Sequence, residues 1–125
     1  MTQRKTVALI AHDNKKDEMI AFAAEHKEVL ARYDLIGTET TGKLINEKTG
    51  LTVRRMLSGP VGGDAQIAAR VAEGKVESVF YFIDAMDEHP HDPDINSLLR
   101  ICNVHNVPLA TNPATATHII STEAL

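Results

Sequence analysis

The sequence has little of several features that mark specialised classes of protein. It contains a single cysteine, Cys102, which excludes a framework of internal disulfides and, among apolar neighbours, predicts a core side chain. No apolar run reaches the length of a transmembrane span. Residues 1–5 lack the apolar segment of a signal peptide, and the net charge of −4 at pH 7 disfavours general binding to nucleic acids or membrane surfaces. These absences predict a cytoplasmic protein whose partners include neither nucleic acid nor membrane.

Two phosphate-binding signatures are also absent. The Walker pattern Gly-x-x-x-x-Gly-Lys-Ser/Thr does not occur, and neither does the dinucleotide pattern Gly-x-Gly-x-x-Gly. Nucleotide binding is therefore not expected. Because the chain is acidic overall, any anion site has to be a local feature of the fold.

The apolar residues fall into alternating strand-like and helix-like segments. With 125 residues, 43% of them hydrophobic, the chain predicts one domain, residues 1–125. The apolar run at 6–11 is typical of a strand buried on both faces of a parallel sheet. Further strands are predicted at 34–37, 53–57, 78–83 and 108–111. Helices are predicted at 15–32, 65–73, 95–102 and 112–121, and a further short helix follows residues 38–42 and ends near residue 50. The predicted fold class is α/β: a single-domain, doubly wound (Rossmann-like) three-layer sandwich with a mainly parallel five-stranded sheet.

The chain is organised around the turn at residues 57–64 (LSGPVGGD), which joins a strand to a helix. Its glycines let the backbone approach a ligand closely, and the free N–H groups where the helix begins favour an anion. Asp64, in this turn, has the ordinary interpretation of a helix N-cap. However, polar groups follow all five predicted strands, at 12–13, 38–41, 58–64, 84–94 and 111–112. Since these ends share one edge of a parallel sheet, we expect one polar site there, which favours a chemical role for Asp64.

A threonine-rich helix start follows the second strand. Thr38, Thr40 and Thr41 offer three hydroxyls beside free backbone N–H groups, an arrangement that suits a phosphate monoester. Lys16, about one turn beyond the end of the first strand, would add a positive charge. The alternative interpretation is an ordinary threonine cap with a surface lysine.

The loop at residues 89–94 (HPHDPD) has three interpretations. His-x-His with nearby carboxylates can ligate zinc or iron. Asp94, just after a proline, also fits an acidic first-turn residue of a helix. The third interpretation, which we favour, is metal-free proton transfer by His91 and Asp94 beside a phosphate pocket.

Five segments of the chain together resemble the methylglyoxal synthase family. They are VALIAHDNKK at 7–16, GTETTGKLI at 37–45, LSGPVGGDAQI at 57–67, PHDPDINSLLR at 90–100 and NVPLATNPATA at 106–116. The resemblance implies a lyase of the glycolytic bypass that converts dihydroxyacetone phosphate to methylglyoxal and inorganic phosphate. It also implies a homohexamer that uses no cofactor and no metal, with phosphate as product and potential inhibitor.

The same resemblance implies roles for individual residues. Asp64 would be the base that removes the carbon-bound proton, and His91 would move protons at the substrate oxygens. Asp94 and Asp84 would be supporting carboxylates. The residues expected around the substrate are His12 and Asp13, and those expected to hold its phosphate are Lys16, Thr38, Thr40, Thr41, Ser58 and Gly59.

Two departures from the family pattern affect these expectations. The family has Asp-Pro-Leu after the fourth strand, whereas this chain has Asp84-Ala85-Met86, so the Asp84 loop is expected to be less constrained. The chain also ends at Leu125, short of the usual C-terminal tail, which bears on subunit contacts and phosphate regulation that depend on that tail.

Sequence alone leaves the strength of the base and one rival function open. A helix N-terminus lowers the pKa of Asp64, whereas a bound phosphate and the exclusion of water raise it. The rival function is a non-catalytic regulatory ligand-binding domain of the same fold, such as those within larger carbamoyl-phosphate synthetases. Such a domain needs the phosphate turn but not Asp64, His91 and Asp94 together.

Overall fold

Five parallel strands, joined and followed by helices, make up the part of the chain that the structure describes. The computed structural model describes residues 4–121; the chain end named above lies outside these residues. The strands are β1 (Thr6–Ala11), β2 (Asp34–Gly37), β3 (Val53–Arg55), β4 (Ser78–Phe82) and β5 (Leu109–Ala110). The helices are α1 (Lys16–Glu25), α2 (Lys27–Leu30), α3 (Glu39–Thr49), α4 (Gly63–Ala72), α5 (Asp92–Val104) and α6 (Pro113–Ser121), with single 3₁₀ turns at Asp13–Lys15 and Gly59–Val61. Within 4–121, no helix has the length and apolar character needed to cross a bilayer.

The sheet has the order β3-β2-β1-β4-β5, with every neighbouring pair parallel. β1 and β4 are the central pair, with Val7 beside Ser78 and Ala11 beside Phe82. Both strands are buried almost throughout, because helices cover both faces of the sheet. The predicted parallel five-stranded α/β sandwich is confirmed.

Alternate residues of β1 point into two separate apolar cores. Val7 and Leu9 pack with α1, α2, α3 and α6 on one face of the sheet. Ala8 and Ile10 pack with α4 and α5 on the other face. Cys102 of α5 is fully buried in this second core, and burial raises the pKa of its thiol to about 11. Its predicted place in the core is confirmed.

Several predicted boundaries differ from those of the structure. The helix predicted at 15–32 is interrupted at His26, whose backbone (φ −108°, ψ 26°) leaves the helical region. β3 ends at Arg55 because its partner β2 ends at Gly37, opposite that residue. β4 likewise ends at Phe82, the last residue paired with β1. Strand length is therefore set by the partner strand as much as by the apolar run.

The strand order indicates which edge of the sheet is the functional one. From β1 the chain builds outward through β2 and β3 and then returns to the other side of β1 as β4. In a doubly wound sheet, ligands bind outside the carboxyl ends of the strands at such a reversal point. Gly63 lets α4 begin close to this edge, because a Cβ there would lie 1.9 Å from the Leu57 carbonyl oxygen.

Candidate active site

A cavity of about 450 Å³ opens at the carboxyl ends of β1 to β4. Most of the predicted site residues line it: His12, Asp13, Lys16, Thr38, Thr40, Ser58, Gly59, Asp64, Asp84 and His91. The segment after β5 is not part of its lining, so the expected convergence of all five strand ends is wrong in this respect. Asn112 instead accepts a hydrogen bond from the Thr115 N–H (2.9 Å) at the start of α6, and β5 is an edge strand.

Asp64 is fully buried in the first turn of α4. The N-cap of that helix is Gly62, so the N-cap interpretation of Asp64 is wrong. Asp64 Oδ2 accepts a hydrogen bond from the Tyr81 hydroxyl (2.5 Å), whereas Oδ1 has no hydrogen-bond partner among residues 4–121. Burial raises the pKa of this carboxyl, against the opposing effects of the Tyr81 hydrogen bond and of the His91 charge. Desolvation therefore makes Asp64 a stronger base than an exposed aspartate.

His91 lies beside Asp64 at the start of α5. Its Nε2 is 3.8 Å from Asp64 Oδ2, and its side chain is only 8% exposed. A Cβ on Gly59 would come within 2.6 Å of His91 Nε2 and 3.2 Å of Asp64 Oδ1. The bare backbone of Gly59 thus borders the space that both catalytic candidates face, and a side chain there would compete with them for it.

His12 is held as one neutral tautomer. Its Nδ1 accepts a hydrogen bond from the backbone N–H of Asp84 (2.9 Å), so the proton resides on Nε2. That Nε2 lies 3.2 Å from the Tyr81 hydroxyl oxygen, to which it donates. Burial, with smaller effects of the neighbouring His89 and His91, lowers the pKa of His12 to about 4. The imidazole is therefore neutral at physiological pH.

Tyr81 is a site residue that sequence reasoning missed, whereas His89 was considered only as part of the His-x-His pattern of the loop before α5. Tyr81 lies in the apolar strand SVFYFI and was indistinguishable from a core aromatic, although its hydroxyl was a sign of a buried polar partner. The His89 ring packs on that of His12, with ring centroids 3.8 Å apart, and both Tyr81 and His89 line the cavity. Within the described residues, no group of three or more His, Cys, Asp or Glu side chains is arranged to hold a metal ion.

Asp84 is fixed by two hydrogen bonds at the end of β4. Its Oδ2 accepts from Asn14 Nδ2 (2.8 Å) and its Oδ1 from the backbone N–H of Met86 (3.1 Å). The Asn14 bond, and then the Met86 bond, lower the pKa of the carboxyl, which stays ionised. The turn closed by Met86 holds the Asp84 carboxylate at the end of β4, where Ala85 stands in place of the family's proline.

The other end of the cavity offers hydrogen-bond donors and a positive charge. Thr38 is the N-cap of α3 but makes no capping hydrogen bond with its side chain, which leaves the first-turn N–H groups to another acceptor. Thr40, in that turn, lines the cavity. Lys16 Nζ donates to the Ala11 carbonyl (2.7 Å) and to Asp13 Oδ1 (3.0 Å) at the end of β1. The Lys16 contact lowers the pKa of Asp13, so the two form an ion pair.

Thr41 and Asp94 are the predicted residues that do not line the cavity. The Thr41 hydroxyl is buried, bonded to the backbone of Ala11 (3.3 Å to both N and O) and to the Thr38 hydroxyl (3.2 Å). It therefore joins α3 to β1 behind Thr38. Asp94, in the first turn of α5, lies near enough for its charge to help raise the pKa of Asp64.

Comparison with known proteins gives a consistent result. The family model described as MGS-like domain matches residues 18–111. The methylglyoxal synthase of Thermus thermophilus is 60% identical over 117 residues, which cover 94% of this chain and 93% of the relative. That of Ralstonia nicotianae is 58% identical over 116 residues, covering 93% of this chain and 86% of the relative.

A solved structure shares both the fold and much of the sequence. The crystal structure of methylglyoxal synthase from Elizabethkingia anophelis NUHP1 matches with a TM-score of 0.88 and 45% sequence identity. The match covers 94% of this chain and 78% of the other. The similarity therefore extends beyond the arrangement of strands and helices to the residues themselves.

Proposed function

The chain belongs to the methylglyoxal synthase family of lyases, and from this premise we propose how its cavity converts dihydroxyacetone phosphate to methylglyoxal and inorganic phosphate. The observation that carries the proposal is the buried Asp64: its Oδ1 has no hydrogen-bond partner among the described residues, and its Oδ2 lies 3.8 Å from His91 Nε2. Both face a cavity with an anion-binding end. No observation favours the non-catalytic regulatory alternative.

The first step is removal of a proton from the hydroxymethyl carbon of the substrate. Asp64 Oδ1 accepts this proton, and the electrons of the C–H bond form a double bond to the former carbonyl carbon. Since burial raises the pKa of Asp64, its carboxylate is better matched to a weak carbon acid than an exposed aspartate. The product of this step is an enediolate.

His91 handles the protons on the two enediolate oxygens. A neutral imidazole can donate to the oxygen on which charge develops and can accept the proton of the neighbouring hydroxyl. Taking that hydroxyl proton lets an aldehyde form at the terminal carbon. The double bond then moves toward the phosphate-bearing carbon, where the C–O bond breaks and phosphate leaves. The remaining enol becomes methylglyoxal when its hydroxyl loses a proton and the methylene carbon that carried the phosphate gains one.

The orientation in which the protein holds the phosphate group selects elimination. The bond to phosphate breaks readily only when it stands roughly perpendicular to the enediolate plane, because its electrons must overlap the double bond. We infer that the α3 N-terminus, Thr38, Thr40 and Lys16, with Ser58 and Gly59 opposite, hold the phosphate out of that plane. Asp84 and Asp94 act as supporting carboxylates, the first by fixing the loop that carries the backbone donor to His12.

The direct test is an assay of both products. Purified protein is incubated with dihydroxyacetone phosphate, and methylglyoxal and free phosphate are measured in separate samples. We expect the two in equal amounts, with added phosphate competing as product. Tight binding of the substrate without formation of either product would instead support the regulatory alternative.

Assembly and location follow from the family resemblance. We propose a homohexamer in the cytoplasm, where a phosphorylated triose is available. The exposed apolar side chains of Leu57 and Val61, on the glycine-rich turn, are surfaces that a subunit contact would cover. Native mass spectrometry of the full chain measures the number of subunits, and a monomer would contradict the proposal.

The buried threonines Thr38 and Thr41, at the start of α3, allow a test of the phosphate site. We expect Thr38→Val to weaken binding of phosphate, or of a phosphoglycolate-type enediolate mimic, by about 1–3 kcal/mol, because a hydroxyl at the anion is lost. Thr41→Val should act indirectly, by loosening the α3–β1 contact, and should lower thermal stability more than Thr38→Val does. Calorimetric titration and thermal melts measure the two effects. Equal affinity in the wild type and Thr38→Val would place the anion elsewhere.

A second expectation concerns metals. Every step proposed above uses protein groups, so we expect the activity to be unchanged after dialysis against a strong chelator. The product assay, with and without chelator, measures this. Complete loss of activity that one divalent metal restores would contradict a metal-free mechanism and would return His89 and His91 to the interpretation as ligands.

A further inference from the structure

We propose that Tyr81 is a positioning residue for the reaction: its hydroxyl holds Asp64 Oδ2 so that Oδ1 is presented to the substrate. The inference rests on the proposed function and adds to it a residue that none of the family motifs contains. Tyr81 lies in β4 and is fully buried, and its hydroxyl contacts both His12, which follows β1, and Asp64, in the first turn of α4. It belongs to the strand, and its hydroxyl reaches the floor of the cavity.

A chain of hydrogen bonds gives the Tyr81 hydroxyl only one direction in which to donate. The backbone N–H of Asp84 donates to His12 Nδ1 (2.9 Å), which places the proton of His12 on Nε2. His12 Nε2 then donates to the Tyr81 oxygen (3.2 Å), so the tyrosine must donate its own proton onward. Its acceptor is Asp64 Oδ2 at 2.5 Å. The main chain of one loop thus orients a carboxylate on another element through two side chains.

This series of hydrogen bonds gives the two oxygens of Asp64 different roles. Oδ2 is occupied by Tyr81, whereas Oδ1 has no hydrogen-bond partner among residues 4–121 and lies on the side of Gly59. A buried carboxylate with one fixed oxygen cannot rotate to exchange them without breaking a charge-assisted bond. Burial and the Asp64 charge raise the pKa of Tyr81 well above its usual value, so the hydroxyl keeps its proton throughout the working range.

The hydrogen bond from Tyr81 also limits how far burial raises the pKa of Asp64. The other titratable groups that face this pair come from the loop after β1, the loop before α5 and α5 itself: His12, His89, His91, Asp92 and Asp94. All five are retained in a variant altered only at Tyr81. A displaced pH profile in such a variant therefore reports the loss of one hydroxyl.

The test is Tyr81→Phe, with Tyr33→Phe as the matched control, since Tyr33 packs against the opposite core and away from the cavity. Because Asp64 must be ionised to act as base, kcat/KM rises with pH as Asp64 loses its proton. Removing a bond to the ionised form raises the pKa, so this acid limb should move up by about one to two pH units in Tyr81→Phe. KM should change little, and Tyr33→Phe should match the wild type.

A second variant tests the inference in the opposite direction. A fluorinated tyrosine placed at position 81 is a stronger donor, so the acid limb should move to lower pH. Carbon-13 NMR titration of the Asp64 carboxyl measures the same pKa without catalysis. The NMR titration therefore tests this inference independently of the proposed function. The proposed function itself fails if the wild type forms no methylglyoxal. Unchanged Asp64 titration in both variants, folded by circular dichroism, would overturn the role of Tyr81.

Discussion

Replacing Asp64 with asparagine should reduce turnover at least 10²-fold and by as much as about 10⁴-fold, the range typical of a general base. Asparagine keeps the size of the side chain and can still accept the Tyr81 hydrogen bond through its oxygen. It cannot accept a proton from carbon. Affinity for the substrate should be equal or better, because a negative charge next to the phosphate is removed.

Hydrogen exchange identifies the step that Asp64→Asn blocks. In deuterated water, proton abstraction labels the hydroxymethyl carbon of unreacted substrate whenever the intermediate returns. We expect this exchange to fall in parallel with methylglyoxal formation. Asp17→Asn, an exposed first-turn aspartate of α1, is the matched control and should behave as the wild type.

One outcome would reassign the base. If Asp64→Asn still exchanges that hydrogen at the native rate, the carboxylate serves only the structure. Asp94 would then be tested next, since its charge already acts on Asp64 from the first turn of α5.

Replacing His91 with glutamine should separate proton abstraction from elimination. Glutamine can donate one hydrogen bond to the enediolate oxygen but cannot pass a proton between two oxygens. We therefore expect methylglyoxal formation to fall about 10²–10⁴-fold, while exchange at the hydroxymethyl carbon keeps a larger share of its native rate. His118→Gln, on the exposed side of α6, is the control.

The ratio of the two rates decides the role of His91. Exchange and product formation that fall by the same factor would mean that His91 is needed for the first step, as donor to the developing charge. Wild-type rates of both in His91→Gln would exclude His91 from the chemistry, and His89, which lines the same cavity, would be tested next.

The sequence by itself determined the fold class and most of the cavity lining. The continuous apolar runs of β1 and β4 could only be buried on both faces, and that requirement fixes a parallel sheet between helix layers. The glycines at 59, 62 and 63 indicated the turn before α4. A side chain at Gly59 or Gly63 would meet neighbouring atoms too closely, and the positive φ of Gly62 favours glycine. Parallel strands then bring their carboxyl ends to one edge, whatever their order.

Only the tertiary structure decided which groups act on Asp64. The Tyr81 hydroxyl of β4 reaches Asp64 on α4, and the backbone N–H of Asp84 reaches His12 because β4 pairs with β1. No local pattern of the sequence encodes either contact. Likewise, Thr38 faces the cavity whereas Thr41 bonds to β1, a difference set by how α3 docks on the sheet. Burial by distant segments is the largest cause of the raised pKa of Asp64. Burial and side-chain direction are properties of packing between distant segments, so a single sequence read locally does not contain them.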